Sequence, residues 1–324
     1  MTKDYIKNLL AISFIKGIGP SKLKDLIGII GNQILSKTEI YEILENYSSK
    51  KKGVIFSKDL FISAMDKAEK QLELSEKNDI GIICREDLLY PELLKKSAYD
   101  PGLIFYKGNI NNLPSRFAAV IGTRNPTEHG AIIAKRISAY LAKNEFSIVS
   151  GLAFGCDSVA HKAALDVNGH TIAVLAHGLD TVFPSQNKEL AEQIINNGGL
   201  LVSTYGVGVK PSSYTFAARD KIQSGLSEFV VMIQSGVEGG SLIASQAALA
   251  DGRKLIVPRP TQRDISNKEK NIEANTILID AQNSRTFANL KGFDIKSNQM
   301  DKYLTNIITL NDKTEYNQAF CITD

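Results

Sequence analysis

From about residue 79 onward, short apolar runs alternate with longer amphipathic stretches. The runs fall at 117–121, 147–149, 171–176, 200–203, 229–233 and 254–257, and the stretches between them at 127–143, 158–166, 187–197 and 241–251 carry helical spacing. Nearly continuous apolar strands separated by helices predict a mainly parallel sheet covered on both faces, with right-handed crossovers. Residues 1–78 differ. They are rich in Leu, Ile, Lys and Glu at helical spacing, without strong strand signals. The expected class is therefore α/β. A small N-terminal all-helical domain (1–78) precedes a doubly wound, Rossmann-like domain (79–290), and a tail (291–324) has few core-forming residues.

Within the helical region, Lys16-Gly17-Ile18-Gly19-Pro20 separates two helical stretches and predicts a helix-hairpin-helix-like motif. The backbone amides of such a turn can contact a nucleic-acid phosphate without reading sequence, with Lys16, Lys22 and Lys24 available beside it. A plain connection between two packed helices fits the same residues.

Composition narrows the class. No apolar run approaches the roughly 20 residues of a membrane helix, and the start MTKDYIKNLL lacks the layout of a secretory signal. A cytoplasmic location and no membrane partner are expected. Cys84, Cys156 and Cys321 are odd in number and far apart, so reduced thiols are expected rather than a disulfide framework or a metal site. The net charge of +3 is too small to imply nucleic acid by itself. The whole surplus lies within residues 1–75, where Lys50 to Lys52 read as a solvated loop.

The chemistry is concentrated in turns that follow strands, where open α/β sheets bind ligands. One turn holds Gly122, Thr123 and Arg124, a second holds Gly151, Gly155 and Asp157, and a third runs from Ser235 through Gly239 and Gly240 to Ser241. Glycine lets backbone amides approach a phosphate, the following helix presents its positive end, and Arg124 can grip two phosphate oxygens. Lys210, Arg219 and Lys221 lie near Tyr205, Tyr214 and Phe216. Cations for phosphates with aromatics for stacking suit a sequence-independent single-strand binder. An exposed basic helix with partly buried aromatics accounts for that segment equally well.

Other chemistries are not supported. Gly206-Val207-Gly208 lacks the third glycine of a dinucleotide fingerprint, and neither a Walker A loop nor GxSxG is present. Cys156, His161, His170 and His177 match neither a zinc set nor a catalytic dyad. His161 and His177 read as packing residues and Asp157 as a helix cap. No catalytic residue, metal or cofactor is expected.

These motifs, in this order, resemble the DNA-processing family DprA, also called Smf. The resemblance rests on YPELL at 90–94, DPGLIFYKG at 100–108, IGTR at 121–124, SGLAFGCDSVAH at 150–161, the stretch 171–194, and the stretch 221–258. It implies a non-enzymatic mediator that binds single-stranded DNA, protects incoming strands and hands them to a RecA-type recombinase during natural transformation. It also implies a homodimer. The family's GSR-like turn maps onto Gly122, Thr123 and Arg124, its basic helix start onto Phe216, Arg219 and Lys221, and its SGS-like loop onto Gly239, Gly240 and Ser241.

Several positions depart from the family pattern. Phe-Pro-Arg-Arg-Asn-Arg is replaced by Phe216-Ala217-Ala218-Arg219-Asp220-Lys221, so one cation becomes Ala218 and a neutral amide becomes Asp220. Val-Pro-Gly becomes Val257-Pro258-Arg259, and the following Gly-Asn segment is echoed only around Asn275. Each lost phosphate contact weakens binding and flattens its salt dependence. The competing class is a nucleotide site, either a sensor or, by likeness of fold, a nucleotide N-glycoside hydrolase. The hydrolase turn PGGxGT is followed by a catalytic Glu, whereas here GVEGGSLIAS has Glu238 before the turn and none after it.

Overall fold

The computed structural model describes residues 1–281, 287–293 and 300–322. Four helices come first: α1 (Lys3–Ser13), α2 (Pro20–Ile30), α3 (Lys37–Lys50) and α4 (Lys58–Lys77). Local chemistry sets their starts. Thr2 caps α1, Pro20 occupies the first turn of α2, Ser36 and Glu39 form a capping box on α3, and Ser57 caps α4.

A nine-stranded sheet follows, in the order β1-β2-β6-β5-β4-β3-β7-β8-β9. Its parallel centre is made of β3 (Arg116–Ile121), β4 (Phe146–Ser150), β5 (Thr171–Leu175), β6 (Leu200–Ser203), β7 (Phe229–Met232) and β8 (Lys254–Pro258). Helices α6 (Glu128–Lys143), α7 (Cys156–Leu165), α8 (Lys188–Asn196), α9 (Ser213–Leu226) and α10 (Ser241–Ala250) supply the crossovers. The predicted strands and helices all occur, with ends shifted by a residue or two.

Three strands lie outside that prediction. β1 (Gly81–Cys84) and β2 (Leu103–Gly108) form an antiparallel edge beside β6. Their hairpin is held by Asp100, which pairs with Arg85 and accepts from the Tyr90 hydroxyl and the Gly102 amide. At the other edge β9 (Ile307–Leu310) pairs parallel with β8. The expected tail thus enters the sheet, while its residues 294–299 and 323–324 lie outside the described residues.

The helical region shares its core with the sheet. Leu9, Leu26, Ile40 and Leu44 belong to one apolar cluster with Leu152, Leu175, Leu179 and Leu201. A second cluster fills the opposite face beneath α9 and α10. Burial of this kind contributes roughly 2 kcal/mol per large side chain, so helices and sheet stabilise one another across the expected domain boundary.

Candidate functional site

The chain leaves β3 toward β4 on one side, while β7 returns to the other side of β3. That reversal opens a crevice at the carboxyl ends of the strands. A cleft of about 400 Å³ occupies it, lined by Gly122, Thr123 and Arg124 after β3, Ala153 and Asp157 after β4, Arg219, Asp220 and Gln223 on α9, and Gly236 to Ser241 before α10. Three strand-end turns and one helix therefore face a single space.

Each turn is held from behind. The Thr123 amide donates to Gln234 O at 2.8 Å, and the Cys156 amide donates to Thr123 O at 3.1 Å. The amide of Ser235 donates to Asn275 Oδ1 at 3.0 Å, while Asn275 Nδ2 donates to Ile233 O at 2.8 Å and Pro258 O at 3.3 Å. Asn275 is fully buried and ties the end of β7 to the end of β8. In front, the amides of Gly240 and Ser241 at the start of α10 have no partner among the described residues. Such free amides, at the positive end of a ten-residue helix, suit an anion.

The two arginines behave differently. Arg124 is exposed, has no ion pair among the described residues, and holds its guanidinium 5.6 Å from the centre of the Phe216 ring. Arg219 is 5% exposed. Its Nε lies 3.1 Å from Asp220 Oδ1, its Nη1 lies 3.8 Å from Asp157 Oδ2, and Nη1 donates to Val174 O at 3.3 Å. Gly151 makes room for it, since a Cβ there would sit 1.2 Å from Arg219 Nη1. One guanidinium thus serves two carboxylates in the cleft wall.

Burial raises both carboxyl groups above their ordinary range. For Asp157, Arg219 and the amides of Ala153 and Gly151 oppose the rise. Asp220 is pushed up to about 6 by burial, with the negative charge of Asp157 adding to the effect and Arg219 opposing it. His161 lies next to this group on α7 and is pushed down to about 3 by burial and by Arg219, so it is neutral. Thr171 Oγ1 donates to Ile148 O, so His161 Nδ1 must donate to Thr171 Oγ1, and the buried Nε2 is left without a partner among the described residues.

The predicted site residues separate accordingly. Gly122, Thr123, Arg124, Arg219, Gly239, Gly240 and Ser241 line the cleft. Phe216 stands beside it against Arg124. Gly151 and Gly155 are packing positions behind it: a Cβ on Gly155 would meet the Arg124 and Thr123 carbonyls, and its φ is +74°. Ser235 is buried, donating to Gly236 O and accepting from Ser241 Oγ at 2.9 Å. Lys221 faces away, 5.1 Å from the Tyr99 ring, and Lys210 is exposed on the loop before α9. The α9 segment is not a simple exposed basic helix, because its arginine is buried.

Asp157 sits in the first turn of α7 and accepts from the preceding loop, while Gly155 holds the cap position. His161 and His177 are buried, as are Cys84 and Cys156, and burial raises both thiols. Residues missed in the sequence include Gln223, which lines the cleft, and Phe183, whose ring centre is 6.1 Å from that of Phe216. Only its position after β5 hinted at Phe183.

The fold is a doubly wound sheet whose switch-point cleft suits an anion. Residues 81–289 match the family model described as DNA recombination-mediator protein A, and the chain belongs to that family. Protein Smf of Synechocystis sp. is 36% identical over 253 residues, covering 74% of this chain and 61% of its own. DNA processing protein DprA of Streptococcus pneumoniae is 40% identical over 169 residues, covering 52% of this chain and 59% of that protein. The matches thus span about three-fifths of the length of those two relatives. The X-ray structure of DprA from S. pneumoniae superimposes with a TM-score of 0.66 at 27% identity, over 87% of this chain and 99% of that one. DNA processing protein A from Helicobacter pylori, described for its single-stranded DNA binding mode, gives 0.54 at 26% identity over 62% and 87%. Among the described residues no helix is long and apolar enough to cross a membrane.

Proposed function

We propose that this protein binds single-stranded DNA as a recombination mediator, protecting incoming strands and passing them to a RecA-type recombinase during natural transformation, without catalysis. The observation that carries this is the exposed Arg124, without an ion pair among the described residues, at the mouth of a cleft whose far wall is the open start of α10. A phosphate between them would meet a guanidinium fork on one side and free amides on the other. Phe216, with Phe183 beside it, offers a neighbouring base a stacking face. The family match and the DNA-binding relative support the same assignment; the homodimer follows the resemblance, and the cytoplasmic location follows the sequence reading.

The carboxylates of the cleft, Asp157 and Asp220, are engaged with Arg219, which suits a positioning role. A cleft of about 400 Å³ also has the size of one nucleotide, which favours a nucleotide sensor as the second reading. Fluorescence anisotropy of labelled oligonucleotides of increasing length, at two salt concentrations, separates the two. The mediator binds longer strands more tightly and loses affinity steeply with salt. A sensor binds a mononucleotide and gains nothing from length.

A further inference from the structure

The open start of α10 faces an acid. Asp220 Oδ1 is occupied by Arg219 Nε and by Gln223 Nε2, each at 3.1 Å. Asp220 Oδ2 has no hydrogen-bond partner among the described residues and lies 3.8 Å from where a Cβ on Gly240 would stand. Apart from the chain neighbours of Gly240, no other atom among the described residues comes within 4 Å of that position. The missing side chain therefore leaves a seat the size of a single atom between Oδ2 and the helix start. A phosphate oxygen fits it and would meet the amides of Gly240 and Ser241. A carboxylate at Asp220 repels that oxygen. A carboxylic acid holds it, because Oδ2–H then donates a short, charge-assisted hydrogen bond to the anion while Oδ1 keeps its two donors.

The surroundings single out Asp220 as the group that takes up a proton. Burial and the charge of Asp157 on α7 disfavour its ionised form, whereas Arg219 on its own helix and Arg124 after β3 favour it. Asp157 accepts from the amides of Gly151 and Ala153, which hold its own charged form. His161 on α7 is neutral, Glu238 before α10 is exposed and lies 3.8 Å from Lys291, and α10 carries no titratable residue. The free carboxyl of Asp220 titrates at about 6, and a phosphate beside it adds a like charge that raises this further.

We infer that the cleft binds a strand phosphate together with a proton, which Asp220 takes from the solvent and through which it holds a phosphate oxygen over Gly240. This rests on the mediator assignment and adds proton coupling to it. The test uses the full chain and a labelled oligothymidine without a terminal phosphate, which carries no group that titrates near neutrality, followed by anisotropy at constant salt. Between about pH 6 and about pH 7.5 the affinity of the unaltered protein falls about fivefold or more, since binding then needs a proton that the free carboxyl has lost. Asp220→Asn turns an amide nitrogen to the seat as a permanent donor. It binds at about pH 7.5 as tightly as the unaltered protein does at about pH 6, and varies within about twofold over the range. Gly240→Ala fills the seat on helical backbone that any residue adopts, and loses about fivefold in affinity at about pH 6 together with the slope. Titration calorimetry in buffers of different ionisation enthalpy reads roughly half a proton or more taken up per strand at neutral pH.

Binding by the unaltered protein that ignores pH, with length and salt dependence intact, overturns the proton coupling and leaves the mediator standing. A slope that survives Asp220→Asn overturns the assignment to Asp220, and a Gly240→Ala variant that keeps both affinity and slope overturns the seat. Failure to bind any strand at any pH overturns both readings. If Asp220→Asn does not fold, the calorimetric proton count on the unaltered protein decides, and no uptake there overturns the inference.

Discussion

At the helical hairpin, the turn at 16–20 lies beneath the loop that carries Lys52 to Ile55, whereas at the sheet the turn at 236–241 faces an open cleft. Both turns are rich in glycine, and both start a helix. At the hairpin, the Ile55 amide donates to Lys16 O, and Lys22 Nζ donates to Gly17 O and Lys52 O at 2.9 Å. A Cβ on Gly17 would lie 1.8 Å from Gly53 O. Of the three lysines that the motif offers to a phosphate, Lys22 is spent on carbonyls of its own chain. At the cleft, the amides of Gly240 and Ser241 and the guanidinium of Arg124 have no hydrogen-bond partner among the described residues. Glycine permits close approach in both places, and what approaches is set by the neighbouring loop rather than by the turn.

The comparison sharpens most at the two cleft arginines. Arg219→Ala leaves two carboxylates without their cation in a buried wall and lowers stability by about 3 kcal/mol, read from denaturant unfolding at neutral pH. Because both groups can then take up protons, the loss shrinks as pH falls. A melting curve like that of the unaltered protein would show that Arg219 is dispensable to the wall.

Gly17→Ala is the next largest. Its φ of +93° and the contact with Gly53 oppose any side chain, so stability drops by about 2 kcal/mol while strand affinity stays within about twofold. A change in affinity without a change in melting would make the hairpin a DNA contact after all.

Asp220→Asn acts in the opposite direction. The folded carboxyl titrates near 6, above its ordinary 3.8, because burial disfavours its charge. Its contribution is therefore present below the ordinary value and is lost as pH rises through about 6. The Asn variant is expected to be more stable than the unaltered protein above about pH 6, by about 2 kcal/mol or less, with the gain fading below about pH 4. Thermal melting across that range checks it, and a gain that grows toward acid would reverse the assigned sign.

How far the sequence carried can be seen in particular residues. The central parallel strands are continuous apolar runs bounded by glycine, so β3 to β8 were legible, as were the three turns that converge. β9 was not, because Ile307 to Leu310 are four apolar or β-branched residues in a polar tail, and only pairing with β8 makes them a strand. Nor was the burial of Arg219. A cation in a basic helix reads as solvated, and the groups that bury it, Asp157 and the missing Cβ of Gly151, come from a different loop. Motif residues such as Tyr90 and Asp100 belong to the scaffold of the β1–β2 hairpin, and the resemblance alone does not distinguish them from site residues.

The central claim is that the cleft, and not the hairpin, holds the strand. It is tested most directly by titrating one labelled single strand with the unaltered protein, with Arg124→Ala, and with Lys16→Ala and Lys24→Ala combined. Loss of about tenfold in affinity for Arg124→Ala, with a salt slope reduced by about one and unchanged melting, is the expected result, and the lysine variant stays within about twofold. Binding that survives Arg124→Ala and collapses with the two lysines would contradict the account.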